Sequence, residues 1–252
     1  MAENLTGTVA LVTGASSGIG RATVRRLTDA GAAVALAARR ADRLEELAAE
    51  VRAEGGTAIV IAADLTDASA ATQAIERTVS ELGRLDTLVN AAGLMLNGPS
   101  DESPLDEWDR MIDINLRGLL YITKAALPHL LTAAQDSPRQ VTDVVNISSV
   151  AGRFAAPTVA VYNATKFAVT AATEAWRQEY TTRNIRFSVI EPGRTESELF
   201  DQKDNSDSDF TAAFGKVEAL HAEDIADAIG YIVTNPRRVA VNEIVIRPTD
   251  QP

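Results

Sequence analysis

The chain contains no cysteine. That excludes a disulfide framework and any thiolate metal site, and it leaves no trace of an oxidising compartment, so a cytoplasmic location is expected. Histidine is almost as scarce: His129 and His221 share no metal-ligand spacing, and both are expected to be structural or exposed, with no metal bound. Basic residues are in deficit, 24 Lys and Arg against 35 Asp and Glu, for a formal net charge of −11. A surface of that sign repels phosphate backbones and anionic headgroups. Nucleic acid and membrane are therefore not expected as partners, which leaves small molecules and copies of the chain itself. No apolar run reaches the ~20 residues of a membrane span, and Met1-Ala2-Glu3-Asn4 has neither the basic nor the apolar region of a secretory signal. Aromatic residues are only 5% of the 252 while hydrophobic residues total 46%, so Ala, Val, Ile and Leu must fill the core.

What is present is a rhythm of short apolar runs and amphipathic stretches. Thr8 to Val12 reads as a strand, the Gly-rich stretch Thr13 to Gly20 as a turn, and Arg21 to Ala30 as a helix. A second strand, Ala33 to Ala37, leads to a helix over Asp42 to Glu54 whose Leu44, Leu47, Ala48 and Val51 form one stripe, closed by Gly55-Gly56. Thr57 to Ile61 is a third strand, Asp67 caps a helix over Ala68 to Leu82, and Leu85 to Val89 is a fourth strand. One long helical region is expected from Pro104 to Ala134, then an exposed turn at Gln135 to Arg139. Beyond it come a strand at Val141 to Ile147, a helix from Thr158 to Thr182, a strand at Ile185 to Ile190, a helix from Ala222 and a last strand at Asn242 to Ile246. Strands that are apolar throughout are buried on both faces. The expected fold is α/β, a Rossmann-like doubly wound parallel sheet of about seven strands with helices on both faces. No polar linker divides it, so residues 1–252 are expected to be one domain.

Thr13-Gly14-Ala15-Ser16-Ser17-Gly18-Ile19-Gly20 puts glycines where a strand turns into a helix, so that backbone N–H groups can approach a pyrophosphate at the positive helix end. Asp64, after the third strand, is placed to bond an adenine amino group. At the end of the second strand a carboxylate would bond the ribose of NAD, but this chain has Ala38 followed by Arg39-Arg40. Guanidinium groups clamp phosphate with paired hydrogen bonds, so Arg39, with Arg40 assisting, points to NADP(H); the competing reading is the solvated start of a helix.

Four tyrosines can each be tested for a base one helical turn away. Tyr121, Tyr180 and Tyr231 have Ala125, Asn184 and Asn235 at i+4, whereas Tyr162 has Lys166. Such a pair shares a helix face, and a nearby ammonium, together with a positively charged oxidised nicotinamide, is expected to favour phenolate and lower the phenol pKa toward neutrality for proton transfer. Ser149, at the end of the fifth strand, is placed to polarise a carbonyl oxygen, and Asn115 lies in the long helical region.

Thr13-Gly-x3-Gly-Ile-Gly20, Asn90-Ala91-Ala92-Gly93, Asn115, Ser149, Tyr162-x3-Lys166 and Pro192-Gly193, in that order over most of the chain, resemble the short-chain dehydrogenase/reductase family. The resemblance implies that Tyr162 donates a proton in reduction, Ser149 holds the carbonyl oxygen, Lys166 binds the nicotinamide ribose and depresses the Tyr162 pKa, and Asn115 anchors a relay water. It implies a cofactor site in Gly14, Ser16, Ser17, Gly18, Ile19 and Gly20. Arg39, Arg40, Asp64 and Leu65 would hold its adenosine end, and Asn90, Ala91 and Gly93 would line its middle. Tyr162, Lys166, Pro192, Gly193, Thr195 and Ser197 would surround the nicotinamide. Ala91 departs from the family's frequent second Asn, and Ser197 keeps the hydroxyl of a commoner Thr.

Leu94, Arg153, Phe154, Glu191, Arg194 and Phe200 fall beside this pocket. Arg153 or Arg194 would suit a carboxylate on the substrate, with ion pairing as the equal alternative. Residues 194–221, which include the polar run Asp201 to Asp209, read either as a mobile substrate lid or as a solvated loop. Within the family the chain is similar to bacterial NADPH-dependent reductases, which implies a homotetramer packed through the fourth and fifth helices. The expected activity is hydride transfer from NADPH to an aldehyde or ketone of specialised metabolism. Two alternatives are the reverse oxidation of an alcohol and a non-catalytic NADP(H)-binding sensor or scaffold, and the intact Ser149, Tyr162 and Lys166 argue against the second.

Overall fold

The computed structural model describes residues 4–199 and 215–252. Within them the expected alternation is present as β1 (Val9–Thr13), α1 (Gly18–Asp29), β2 (Ala33–Ala38), α2 (Ala41–Ala53), β3 (Ala58–Ala62), α3 (Ala68–Leu82) and β4 (Thr87–Asn90). The second half holds α4 (Leu105–Ile112), α5 (Gly118–Asp136), β5 (Thr142–Ile147), α6 (Ala160–Tyr180), β6 (Ile185–Pro192), a helix Ala222–Val233 labelled α7 here, and β7 (Glu243–Ile246). The strands form one seven-stranded sheet in the order β3-β2-β1-β4-β5-β6-β7, with every pairing parallel. The order reverses direction at β1 and β4, and ligands bind in the crevice that such a reversal opens at the carboxyl ends of the strands.

Two apolar layers follow from the period of two along each strand. Leu11, Leu88, Val144 and Phe187 face α3 and α5 through Ile75, Ile122 and Leu130. Val12, Val34, Leu36, Val145 and Ile190 face α1, α2 and the last helix through Val24, Leu27, Leu44, Ile225 and Ile229. Helix ends follow the sequence signals closely. The Asp67 carboxylate accepts from Ala70 N at 2.7 Å, and Gly83, at φ 89°, closes α3 in the left-handed region that glycine adopts without strain.

Two expectations are corrected. The long helix expected from Pro104 to Ala134 is instead α4, a widened π-turn over Asp113–Arg117 and α5. The π-turn brings Asn115 onto the backbone of Leu94, accepting from Leu94 N at 2.7 Å and donating to Leu94 O at 2.8 Å. A local departure of this kind is common where a helix serves a site. The segment Gln135 to Arg139 is an exposed turn only in part: α5 runs to Asp136, and Gln135, Asp136 and Pro138 are exposed, but Ser137 and Arg139 are buried.

Arg139 is buried because it belongs to an ionic staple at the opposite end of the sheet. Asp143 on β5 accepts from Arg139 Nη1 at 2.8 Å, from Arg186 Nε at 2.7 Å and from Arg186 Nη2 at 3.0 Å. The two guanidiniums then donate to Asn235 O and Val239 O in the loop after α7. Removing the shared carboxylate leaves two buried cations facing each other. Asp143→Ala is expected to lower the unfolding free energy by about 3 to 5 kcal/mol, read from urea unfolding; a loss below about 1 kcal/mol would contradict this assignment.

Candidate active site

Register brings the polar strand ends into one row. Thr13 pairs with Asn90, Asn90 with Asn146, and Ile147 with Ile190. Thr13 Oγ1 accepts from the amides of Ala91 and Ala92 at 3.1 and 3.3 Å and so fixes the turn after β4. A cavity of about 490 Å³ opens at this edge, within the size range of small-ligand pockets.

One end of the cavity is shaped for an anion. Ser16, Ser17, Gly18 and Ile19 line it, and Ser17 at the start of α1 caps no helix N–H with its side chain, so the first amides of the helix remain available to a ligand. Gly14, at φ 67°, lies so close to the turn after β4 that a Cβ would stand 2.8 Å from Ala92 Cα. Gly20 does not line the cavity, contrary to expectation; a Cβ there would meet Gly14 O at 2.3 Å, so its smallness serves the packing of α1 against the turn. Arg40 lies across the turn, donating from Nε to Ser16 at 3.1 Å and from Nη2 to Ser17 at 2.8 Å. Its Nη1 reaches Glu198 at 2.7 Å, a carboxylate that Arg43 also engages. Arg39 is exposed at the rim beside Asp64. The Asp64 carboxyl is held below its ordinary pKa, first by hydrogen bonds from the Thr66 hydroxyl and amide, then by the Arg39 charge. An uncapped helix start, a glycine cradle and two arginines fit the pyrophosphate and adenosine end of a phosphorylated dinucleotide.

The middle and far walls contain Leu65, Ala91, Gly93, Pro192, Gly193, Thr195 and Ser197, as expected. Asn90 also lines the cavity, yet its Nδ2 is spent on Asn146 Oδ1 at 2.8 Å and Thr123 at 3.0 Å. Its role is to join β4 to β5 at the cavity floor.

The chemical end is assembled by α6. Tyr162 and Lys166, one turn apart, are both buried, at 6% and 4% exposure. Ser149 caps the short helical turn Val150–Gly152, accepting from Ala151 N at 3.1 Å and donating to Pro192 O at 3.4 Å, and it lies near enough to Tyr162 to draw that phenol's pKa down. Lys166 Nζ donates to Ile147 O at 2.9 Å and stands 5.6 Å from the Tyr162 ring centre. Burial pushes the Tyr162 phenol up to about 12, with the Ser149 hydrogen bond pulling the other way, and brings the Lys166 ammonium down to about 8. In the cofactor-free chain, desolvation outweighs the Ser149 hydrogen bond at Tyr162; the expected lowering by Lys166 together with an oxidised nicotinamide belongs to the cofactor-bound protein. Asn115 is buried but does not line the cavity; besides holding Leu94, its Nδ2 donates to Thr165 at 3.2 Å, which anchors the turn after β4 to α6.

At the substrate end, Leu94, Phe154 and Arg194 line the cavity. Arg153 and Glu191 do not: they pair with each other behind the wall, because Glu191 is fully buried and points toward α6 rather than into the cavity. Phe200 and residues 200–214 of the expected lid lie outside the described residues. The flanks of that stretch meet, with Glu196 N donating to Leu220 O at 2.8 Å and Leu220 N to Arg194 O at 2.9 Å.

Among the wall residues that sequence reasoning missed are Asn163, Glu198, Leu199 and Gln251. Asn163 holds the loop after Ser149 by donating to Ala151 O at 2.7 Å and Phe154 O at 2.9 Å. Glu198 receives the arginines, Leu199 adds an apolar surface, and Gln251 accepts from Arg194 N at 2.8 Å. Only Asn163, adjacent to Tyr162, carried a local signal. His129 is half-buried, while His221 is exposed beside Glu196. Among the described residues no cluster of His, Asp and Glu could hold a metal ion, and no helix is long and apolar enough to cross a membrane.

Comparison with known proteins places this geometry. The family model described as short chain dehydrogenase matches residues 8–208. An uncharacterized oxidoreductase of Staphylococcus saprophyticus is 38% identical over 254 residues, covering 99% of each chain. Glycine betaine reductase of Emericella nidulans is 37% identical over 251 residues, 98% of this chain but only 19% of that longer protein. Two solved structures superpose with a TM-score of 0.85. One is a short chain dehydrogenase from Burkholderia cenocepacia in complex with NADP, 28% identical over 97% of this chain and 98% of that one. The other is a 3-ketoacyl-(acyl-carrier-protein) reductase from Brucella melitensis complexed with NADH, 27% identical over 98% and 99%.

The buried lysine has a measurable consequence. Between about 8 and its ordinary 10.5, the unfolded chain binds more protons than the folded one, so the stability contributed by this group rises with pH across that window and its penalty is complete below it. Lys166→Met is therefore expected to stabilise the cofactor-free protein at pH 7, by up to about 3 kcal/mol, with the gain closing toward the top of the window. Urea unfolding at several pH values measures it, and a less stable variant at pH 7 would contradict the assignment.

Proposed function

The chain belongs to the short-chain dehydrogenase/reductase family, and from that premise we propose that it is an NADPH-dependent reductase of a small aldehyde or ketone. The observation that carries the reading is the placing of Tyr162, Lys166 and Ser149 on the wall of one cavity at the carboxyl edge of the sheet, with Tyr162 and Lys166 buried one helical turn apart. Arg39 and Arg40 beside the phosphate turn, with no carboxylate at the end of β2, favour the 2′-phosphorylated dinucleotide over NAD(H).

The bound dinucleotide supplies the hydride that reaches the carbonyl carbon. The residues of the chain do the rest. The Gly14–Gly18 turn holds the pyrophosphate, Arg39 and Arg40 hold the 2′-phosphate, and Pro192, Gly193, Thr195 and Ser197 flank the nicotinamide. Ser149 donates a hydrogen bond to the carbonyl oxygen and stabilises the charge that develops there. Tyr162 gives its phenolic proton to that oxygen as the carbon is reduced, so the product is an alcohol and the residue is left as phenolate. Lys166, held by Ile147 O, is a cation beside that phenolate and stabilises it until a proton from solvent restores the phenol. The same residues serve the reverse oxidation of an alcohol, with Tyr162 then accepting the proton, and the reading of reduction rests on the likeness to NADPH-dependent reductases.

The finer likeness, in Ala37-Ala38-Arg39-Arg40, Glu191-Pro192-Gly193 and Ile246 to Gln251, is to bacterial enzymes such as clavulanic acid dehydrogenase. It supports an intermediate of specialised metabolism as substrate and a cytoplasmic homotetramer as the working form.

Purified protein is expected to oxidise NADPH with one or more members of a carbonyl panel and to prefer NADPH to NADH. Tyr162→Phe is expected to reduce turnover by about 10²-fold or more while NADPH still binds by fluorescence titration. Full activity in that variant would overturn the mechanism, and a preference for NADH would overturn the arginine assignment.

A further inference from the structure

Glu191 is the residue before the Pro192-Gly193 turn, and it has no exposed surface. A carboxylate in such a place is costly unless every lone pair is answered. Here Oε2 takes Arg153 Nε, and Oε1 accepts from the Thr170 hydroxyl on α6 at 3.0 Å. Arg153 continues the chain, pairing through Nη2 with Glu243 at the start of β7. Thr170 extends it the other way: its hydroxyl oxygen lies 3.0 Å from that of Ser148, which donates to the Lys166 carbonyl at 3.0 Å. Gly152 is pressed so tightly into the same corner that a Cβ would stand 2.7 Å from Ser148 Oγ and 3.0 Å from Lys166 O.

The four segments joined in this way are the turn after β5, α6, the end of β6 and β7. Three of them carry the working parts: Ser149 on the turn, Tyr162 and Lys166 on α6, and Pro192-Gly193 on β6. A buried ion pair is a poor source of stability compared with apolar side chains of equal volume, but a guanidinium–carboxylate contact is directional. What it adds here is a side-chain link between the turn after β5, α6 and the end of β6, beyond the strand ladders and the Asn163 bonds that already join them. We propose that Glu191 is a positioning residue, whose carboxylate, braced by Arg153 and Thr170, fixes Ser149 against Tyr162 and the nicotinamide turn. The proposal rests on the reductase reading above.

The test uses the full chain and the variants Glu191→Gln, Arg153→Met and the two combined. In the cofactor-free protein, amide hydrogen exchange of residues 149–154 is expected to accelerate about tenfold in Glu191→Gln, while α7 is unchanged. With NADPH and a carbonyl that the wild type reduces, kcat is expected to fall about 10²-fold and both KM values to stay within about threefold. The double variant is expected to recover stability, since no lone charge remains, but not kcat. Recovery of kcat together with stability, or wild-type exchange and kcat in a folded Glu191→Gln, would overturn the proposal. If the wild type reduces no carbonyl, the reductase reading fails separately and exchange alone decides: acceleration confined to the turn supports the brace, and unchanged exchange removes it.

Discussion

The burial of Tyr162 and Lys166 between α6 and the end of β5 is the constraint on which the rest of the site depends. Helix periodicity puts both on one face, and Val169 and Thr173, farther along the same helix, are buried with them. Desolvation then acts on two groups of opposite kind, keeping the phenol neutral and making the ammonium hard to hold. The neighbouring backbone answers each demand. Ile147 O takes the ammonium, and Ser149 meets the phenol because β5 ends one residue before the turn that presents it. Dry surroundings also strengthen any hydrogen bond made to a developing oxyanion. Stability is given up locally so that a proton and a charge can be handled at one point.

Much of this was legible in the sequence because it follows from short-range rules. Apolar runs marked the strands, Asp67 and Gly83 marked helix ends, and Tyr162 with Lys166 required only a count of four. What was not legible depended on contacts between distant segments. Nothing in residues 104 to 134 announces that a π-turn will divert Asn115 to the Leu94 backbone, since the diversion is decided by what packs opposite. Glu191 falls at the carboxyl edge as expected from its place before Pro192-Gly193, but which way it points is set by the pleat of β6, and it lies on the α6 side, where it pairs with Arg153 from the turn after β5. The same limit applies to Gln251, whose approach to Gly193 requires the C-terminal tail to fold back across the edge of the sheet. For Tyr162 and Lys166 proximity was legible from the count of four, whereas the cost of removing both groups from water depends on the packing around α6.

The site divides its charges by function. At the adenosine end they are exposed or half-exposed: Arg39 at the rim, Arg40 and Arg43 sharing Glu198. Such contacts exchange readily with a ligand phosphate at modest cost. Behind the chemical end the buried Glu191 is committed to the partly exposed Arg153, and at the far end of the sheet Asp143, Arg139 and Arg186 are all buried together. These do not bind anything; they hold strands and turns in place around a small cavity.

The central claim is that this cavity brings a dinucleotide and a carbonyl together so that hydrogen passes directly between them. NADPH carrying deuterium at the nicotinamide C4 position, incubated with the protein and a carbonyl it reduces, tests that claim most directly. The account predicts deuterium on the carbinol carbon of the product and none from solvent at that carbon. Product without deuterium, or with hydrogen drawn from water at that carbon, would contradict it.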